Sequence, residues 1–176
     1  TRINITCPAP NVDPGKYQAG LMSMFPVSQV NVKVRAPLTM EAKDMVEMLH
    51  KVTSLKGSDG VPRHVIYYGA VGRLTTDQSQ YCLDGIIAGL GWVGRRVSTG
   101  IASTSTMLHE SGHNMSLRHA PCGDPDGIDP AFPYADGSIG EYGYNALTTR
   151  VWRPNWPDLA KDFMSYCGPE WISDYH

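Results

Sequence analysis

His109 and His113 stand four residues apart, with Glu110 directly after the first of them. On a helix that spacing projects both imidazoles from one face, one turn above the other. Two nitrogens so placed can hold one zinc ion at about 2.0–2.1 Å each. Glu110 is angled off that face, so its carboxylate can touch a water on the metal without ligating it. That is the position of a general base in metal-assisted hydrolysis. His119 comes six residues after His113, too far round a helix to share its face. It reaches the same metal only if the helix stops near Ser116 or Leu117 and the chain doubles back. Three histidines with an open fourth position make a catalytic rather than a structural zinc site. The competing reading is an amphipathic helix that carries two satisfied histidines.

The elements that must position these residues are read from periodicity. Residues 1–27 are rich in Pro and small residues and read mostly as ordered loop, with Ile3 and Ile5 alternating as a short edge strand. Val30, Val32 and Val34 alternate with polar residues, the pattern of a strand with one buried face. A helix is expected from Pro37 or Thr39 to about Ser54, with Ala42, Met45, Val46, Leu49 and Val52 as its core stripe. His50 is expected as a cation near that helix's C-terminus. A turn over Lys56 to Pro62 precedes a strand at His64 to Gly69, with His64 at the surface. Strand, helix, strand implies a parallel pair with a right-handed crossover. Residues 70–84 read as loop.

Gly85 to Gly94 is apolar but punctuated by glycines, which weaken a strand interior and mark close backbone approach. Such an edge strand is a surface that an extended peptide can join; a flexible apolar loop is the alternative. Val97 to Ile101 is a further strand, and Ser103, Thr104 or Ser105 caps the helix that carries His109 and His113. Residues 120–157 hold many Pro, Gly and Asp residues with little periodicity, so irregular structure draped over the site is expected. Asp124 to Asp129 invites a calcium reading, but its glycine is misplaced for such a loop and Asp-Pro and Asp-Gly are ordinary turn chemistry. Calcium is therefore not expected. The segment around Met164 precedes a last short helix or turn through Trp171.

At 176 residues the chain fits one domain, with no internal repeat and no dividing linker. A net charge of −2 with mixed signs leaves no footprint for nucleic acid, and Arg95-Arg96 reads as a solvated turn. No apolar run approaches a membrane span. No signal peptide opens the chain, which reads as a mature form or excised domain. Cys7, Cys82, Cys122 and Cys167 are even in number and contain no C-x-x-C pair. Two disulfides in an oxidising compartment are expected, with three connectivities open.

His109, Glu110, His113 and His119, with Met164 in Asp162-Phe163-Met164-Ser165-Tyr166, resemble the metzincin clan of zinc peptidases. The signature of that clan is H-E-x-x-H-x-x-G-x-x-H followed by a methionine turn. The resemblance covers about residues 28–119 in architecture. It implies an α+β fold, a twisted mixed sheet with an active-site helix and an irregular C-terminal part. It also implies one catalytic domain over 1–176, divided at about 116/117 into N- and C-terminal subdomains. The roles implied are His109, His113 and His119 as ligands of one catalytic zinc, Glu110 as base and Met164 as an apolar floor. Tyr166 stands at the spacing where some metzincins place a tyrosine near the zinc, to ligate it or to hydrogen-bond the oxyanion. The clan's glycine is Ser116 here, at a point where the chain leaves the helix with positive φ, a conformation that glycine adopts at less cost. By bringing the segments after His119 and after Met164 to one metal, the resemblance implies a Cys122–Cys167 bridge, with Cys7 and Cys82 as the remaining pair.

The function so implied is a zinc endopeptidase acting on protein or glycoprotein, secreted and bacterial, similar to the group related to mucin-degrading peptidases. It would work as a monomeric domain of a larger or processed protein. The rival is a zinc-stabilised binding or adhesin module without catalysis. Cys122, three residues after His119, would favour that rival if its thiolate closed the metal site. A toxin domain cut from a larger effector would share the chemistry and differ only in target.

Overall fold

The computed structural model describes residues 9–72, 87–154 and 159–176. These residues hold three helices and seven short strands, an α+β fold. They fall into two compact units, the first running up to Tyr17 and over Val32–Met115, the second over Gln18–Asn31 and Ser116–His176. Ile3, Ile5, Cys7 and Cys82 lie outside the described residues, as does most of the stretch read as loop at 70–84.

In the first unit, α2 (Met45–Ser58) begins later than its apolar stripe implies. Asp44 sets that start, because its side chain accepts the Glu47 amide at 2.8 Å and so satisfies a donor of the first turn. Met45, Leu49 and Val52 are buried as expected. Val46 is exposed, one position off the buried face, and Ala42 precedes the helix. Leu49 and Val52 pack with Val97, and Tyr67, Leu90 and Trp92 close the cluster. His50 lies within the helix rather than at its end, with its ring edge-on to Trp92 at 5.3 Å. Lys56 takes the C-terminal position and donates to the Val65 and Arg96 carbonyls at 2.6 and 3.1 Å.

The sheet has the order β1-β3-β2, from β1 (Tyr67–Val71), β2 (Gly89–Gly91) and β3 (Val97–Ile101). β3 is buried along its length and pairs in parallel with β1, Tyr67 opposite Val97 and Val71 opposite Ile101. β2 runs antiparallel to β3 and forms an edge among the described residues. The parallel pair is thus β1 with β3; the alternating stretch Val30 to Val34 forms no strand. Alternation provides a face but not a ladder partner: the Val30 carbonyl is taken by the Gln18 side chain at 2.7 Å, and Val34 is exposed. α3 (Thr104–Asn114) follows β3 directly.

α1 (Pro14–Met24) occupies part of the stretch read as loop. Asp13 accepts the Gly15 and Lys16 amides through one carboxylate oxygen, at 2.9 and 3.3 Å, and Pro14 supplies the fixed φ of a first helical residue.

The second unit is built on Phe132, Ile139, Ala160, Phe163, Met164 and Trp171, all buried. The hairpin of β4 (Gly143–Asn145) and β5 (Arg150–Trp152) interrupts a segment expected to be irregular. β6 (Lys161–Asp162) and β7 (Glu170–Trp171) pair in parallel where a short helix or turn was expected. Trp171 stacks on Trp152 at 5.6 Å, which pins β7 to the hairpin. None of the described helices is long and apolar enough to cross a membrane.

Candidate metal centre

α3 is capped by Ser103, whose hydroxyl accepts the Thr106 amide, one of the three caps expected. Counting from that cap places His109 and His113 one turn apart, and their rings meet edge to face at 5.0 Å. The helix ends at Asn114, a little earlier than expected, and Met115 closes it by donating to the Ser111 and Gly112 carbonyls. Ser116 then takes φ +78°, the left-handed conformation that reverses the chain. The positive φ expected at this position is therefore present, held by a serine.

His119 is fixed from three directions within its own unit. Its carbonyl accepts the Asp129 amide at 2.8 Å, and the next amide, of Ala120, donates to the Met164 carbonyl at 3.1 Å. Its Nδ1 meets the Asp126 carbonyl, and since a carbonyl can only accept, Nδ1 carries the proton. Nε2 is then the nitrogen that could ligate a metal, as in histidines oriented by a backbone carbonyl elsewhere. Among the described residues, one group of three could hold a metal ion: His109, His113 and His119, whose ligand atoms all lie within 4.8 Å of one another.

Glu110 is 4% exposed, and one of its carboxylate oxygens, Oε2, is buried without a hydrogen-bond partner among the described residues. Burial raises its pKa from 4.5 to about 8. An orphaned carboxylate oxygen on the helix that carries His109 and His113 fits a metal centre. The glycines of β2 permit this. A Cβ at Gly89 would lie 2.6 Å from Glu110 Oε1, and one at Gly91 would lie 2.9 Å from Oε2. The expected close backbone approach is thus to the carboxylate.

Asn114 was not singled out from sequence, yet it fixes the end of α3. Its amide donates to the Val97 and Trp92 carbonyls at 2.8 and 3.2 Å, and its oxygen accepts the Ser98 hydroxyl at 2.9 Å. The Gly94 amide donates to the His113 carbonyl at 2.8 Å. The β2–β3 turn is thereby stapled to the last turn of α3. An asparagine at a helix end is a signal for side-chain bonds to nearby backbone, but its distant partners are not legible locally.

Tyr166 is 59% exposed, so it is not packed beneath the turn; its ring meets that of His119 edge-on at 5.1 Å. Its amide donates to the Cys122 carbonyl, and Gly123, at φ +78°, leaves room for its Cβ. Cys122 and Cys167 form a disulfide, the pairing expected, with Cα atoms 5.8 Å apart. Cys122 therefore has no thiolate to offer a metal, and the observation that favoured a closed, structural site falls away. Met164 is fully buried, and its amide donates to Asp162 at 2.8 Å.

An α+β protein with three histidines whose ligand atoms lie within 4.8 Å of one another, and a buried glutamate on the helix that carries two of them, has the makings of a metallopeptidase. The sequence profile of the Peptidase M66 family matches residues 40–168, well over half of the chain. The chain belongs to that family, one of metallopeptidases. It is also similar to a dictomallein-like protein of Hahella chejuensis (strain KCTC 2396), 36% identical over 59 residues. That match spans 32% of this chain and only 9% of the relative. No solved structure matches the chain.

The burial of Glu110 has a measurable consequence for the metal-free protein. Between pH 4.5 and about 8 the unfolded chain has lost a proton that the folded chain still holds, so stability falls as pH rises through this window. The loss is on the order of 3–5 kcal/mol across it. Chelator-treated Glu110→Gln should lack this component. Thermal melts of both proteins from pH 4.5 to 8 check it; parallel pH profiles would contradict the burial argument.

Proposed function

We propose that the chain is the catalytic domain of a zinc endopeptidase in which His109, His113 and His119 hold the metal. The observation that carries this reading is the buried, half-unpartnered Glu110 carboxylate on the helix that bears two of the three convergent histidines. Three neutral nitrogens suit zinc and leave a coordination position open. When bound, zinc supplies Lewis-acid polarisation of a water and of the scissile carbonyl.

Glu110 takes the proton of the attacking water and passes it to the leaving amine. Alone, its buried carboxyl is held protonated; beside a dication the carboxylate form is favoured, which suits a base at neutral pH. Tyr166, exposed beside His119, donates its phenol to the developing oxyanion. Met164 forms the apolar floor of the centre, as in the metzincins that the motif resembles. The edge of β2 offers backbone groups on which an extended substrate strand can align, with the Gly89 and Gly91 side of the strand against Glu110.

The disulfide supports secretion into an oxidising compartment, and the peptidase family supports a protein substrate; a glycoprotein substrate is the further reading of the resemblance. Residues 1–176 act as one such domain. A zinc-stabilised adhesin on the same fold would have no use for an unpartnered carboxylate at the metal.

Glu110→Gln should retain one zinc per chain while hydrolysis of a diverse peptide library falls by roughly 10²–10⁴-fold. Turnover equal to the parent's would remove Glu110 from the mechanism. For Tyr166→Phe, kcat and kcat/KM should fall together by about 10–10³-fold with KM little changed. Unaltered kinetics would leave the phenol without a part in the reaction.

A further inference from the structure

His176 lies beyond the region matched by the family profile, yet its side chain is only 3% exposed. It faces Asp162, whose side chain is fully buried, with Nδ1 at 3.1 and 3.2 Å from the two carboxylate oxygens. Its other nitrogen, Nε2, is buried and has no hydrogen-bond partner among the described residues. The rings of Phe132, Tyr175 and Phe163 surround the imidazole at centroid distances of 5.5, 5.2 and 6.3 Å. Within that apolar shell, Asp162 is the polar contact the ring makes.

Asp162 is more than a partner for a stray histidine. One carboxylate oxygen accepts the Met164 amide at 2.8 Å, and the other accepts the Ser173 amide at 2.9 Å. Met164 in turn accepts from Ala120, the residue after His119. An unbroken set of bonds thus runs from His176 through Asp162 and the Met164 turn to the backbone of the third histidine. Burial pushes the Asp162 carboxyl up, but the bond and charge of His176, with the Ser173 and Met164 amides, bring it below its ordinary value. Without His176 the buried carboxylate would keep, among the described residues, the two amides alone. Uncompensated buried charge of this kind makes the surrounding structure relax or admit water.

We propose that His176 is a positioning residue of the metal centre, holding Asp162 so that the Met164 turn keeps His119 aimed at the metal. This rests on the reading of His119 as a zinc ligand. The role differs from packing, because an apolar ring would fill the same space and supply no donor.

Two variants separate the alternatives. His176→Phe keeps a ring and removes the donor; His176→Asn presents an amide nitrogen near the place of Nδ1. Zinc affinity is read by competition with a chelating indicator, with the melting temperature of the metal-free protein as the control for folding. His176→Phe should raise the zinc Kd about tenfold, the low end for an outer-shell partner, and His176→Asn should stay within about twofold of the parent. Backbone amide exchange at Ala120 and Met164 should quicken in the Phe variant only. Parent-like affinity in His176→Phe, or equal weakening in both variants, would overturn the proposal. If the Phe variant does not fold, the Asn variant decides alone: parent-like binding supports the role, and a tenfold loss overturns it. A parent that binds no zinc would overturn the metal reading itself and this role with it.

Discussion

A carboxylate that is buried, and short of one hydrogen bond, sets the terms for the first unit. Burying Glu110 with Oε2 unpartnered costs free energy that no hydrogen bond among the described residues returns. The surrounding residues hold it there nonetheless. Gly89 and Gly91 let a strand backbone close over it, and Asn114, Ser98 and Gly94 pin that strand's hairpin to the same helix. β3, buried along its length, anchors both, and its polar residues Ser98 and Thr99 each find a hydrogen-bond partner. A buried titratable group with a shifted pKa is a feature found at functional sites.

The second unit meets a different requirement with different means. An isolated histidine on an irregular segment has no helix to aim it, so its backbone and ring are tied one bond at a time. Asp129 and Met164 hold the backbone on either side of the His119 peptide, and the Asp126 carbonyl fixes its tautomer. The Cys122–Cys167 bridge and the tight passage at Gly123 hold Tyr166 beside that ring. The stacked Trp152 and Trp171 and the buried Asp162–His176 pair brace the segments behind it. Serine at position 116 takes the left-handed conformation just past the end of α3.

What could be read in advance follows the range of the interactions. The one-turn spacing of His109 and His113, a cap within Ser103 to Ser105 and a strand at Val97–Ile101 depend on residues close in sequence, and the structure agrees with each; the positive φ at Ser116 followed from the resemblance. The disulfide followed from the resemblance, which carries long-range information that spacing lacks. α1 starts at Asp13-Pro14, a local helix start that the proline content of the segment masks in the sequence. Val30 to Val34 alternates like a strand yet forms none, since alternation cannot say whether a neighbouring strand exists. Asn114 and His176 were passed over for a plainer reason: their meaning lies in partners that the chain brings back from a distance.

His109, His113 and His119 are proposed as the protein ligands of one zinc ion. X-ray absorption at the zinc edge of the loaded protein tests this assignment without reference to any substrate. The account predicts three imidazole nitrogens at about 2.0–2.1 Å and a remaining light-atom ligand, with no sulfur. A sulfur scatterer near 2.3 Å, or a shell of oxygens without imidazole, would contradict it.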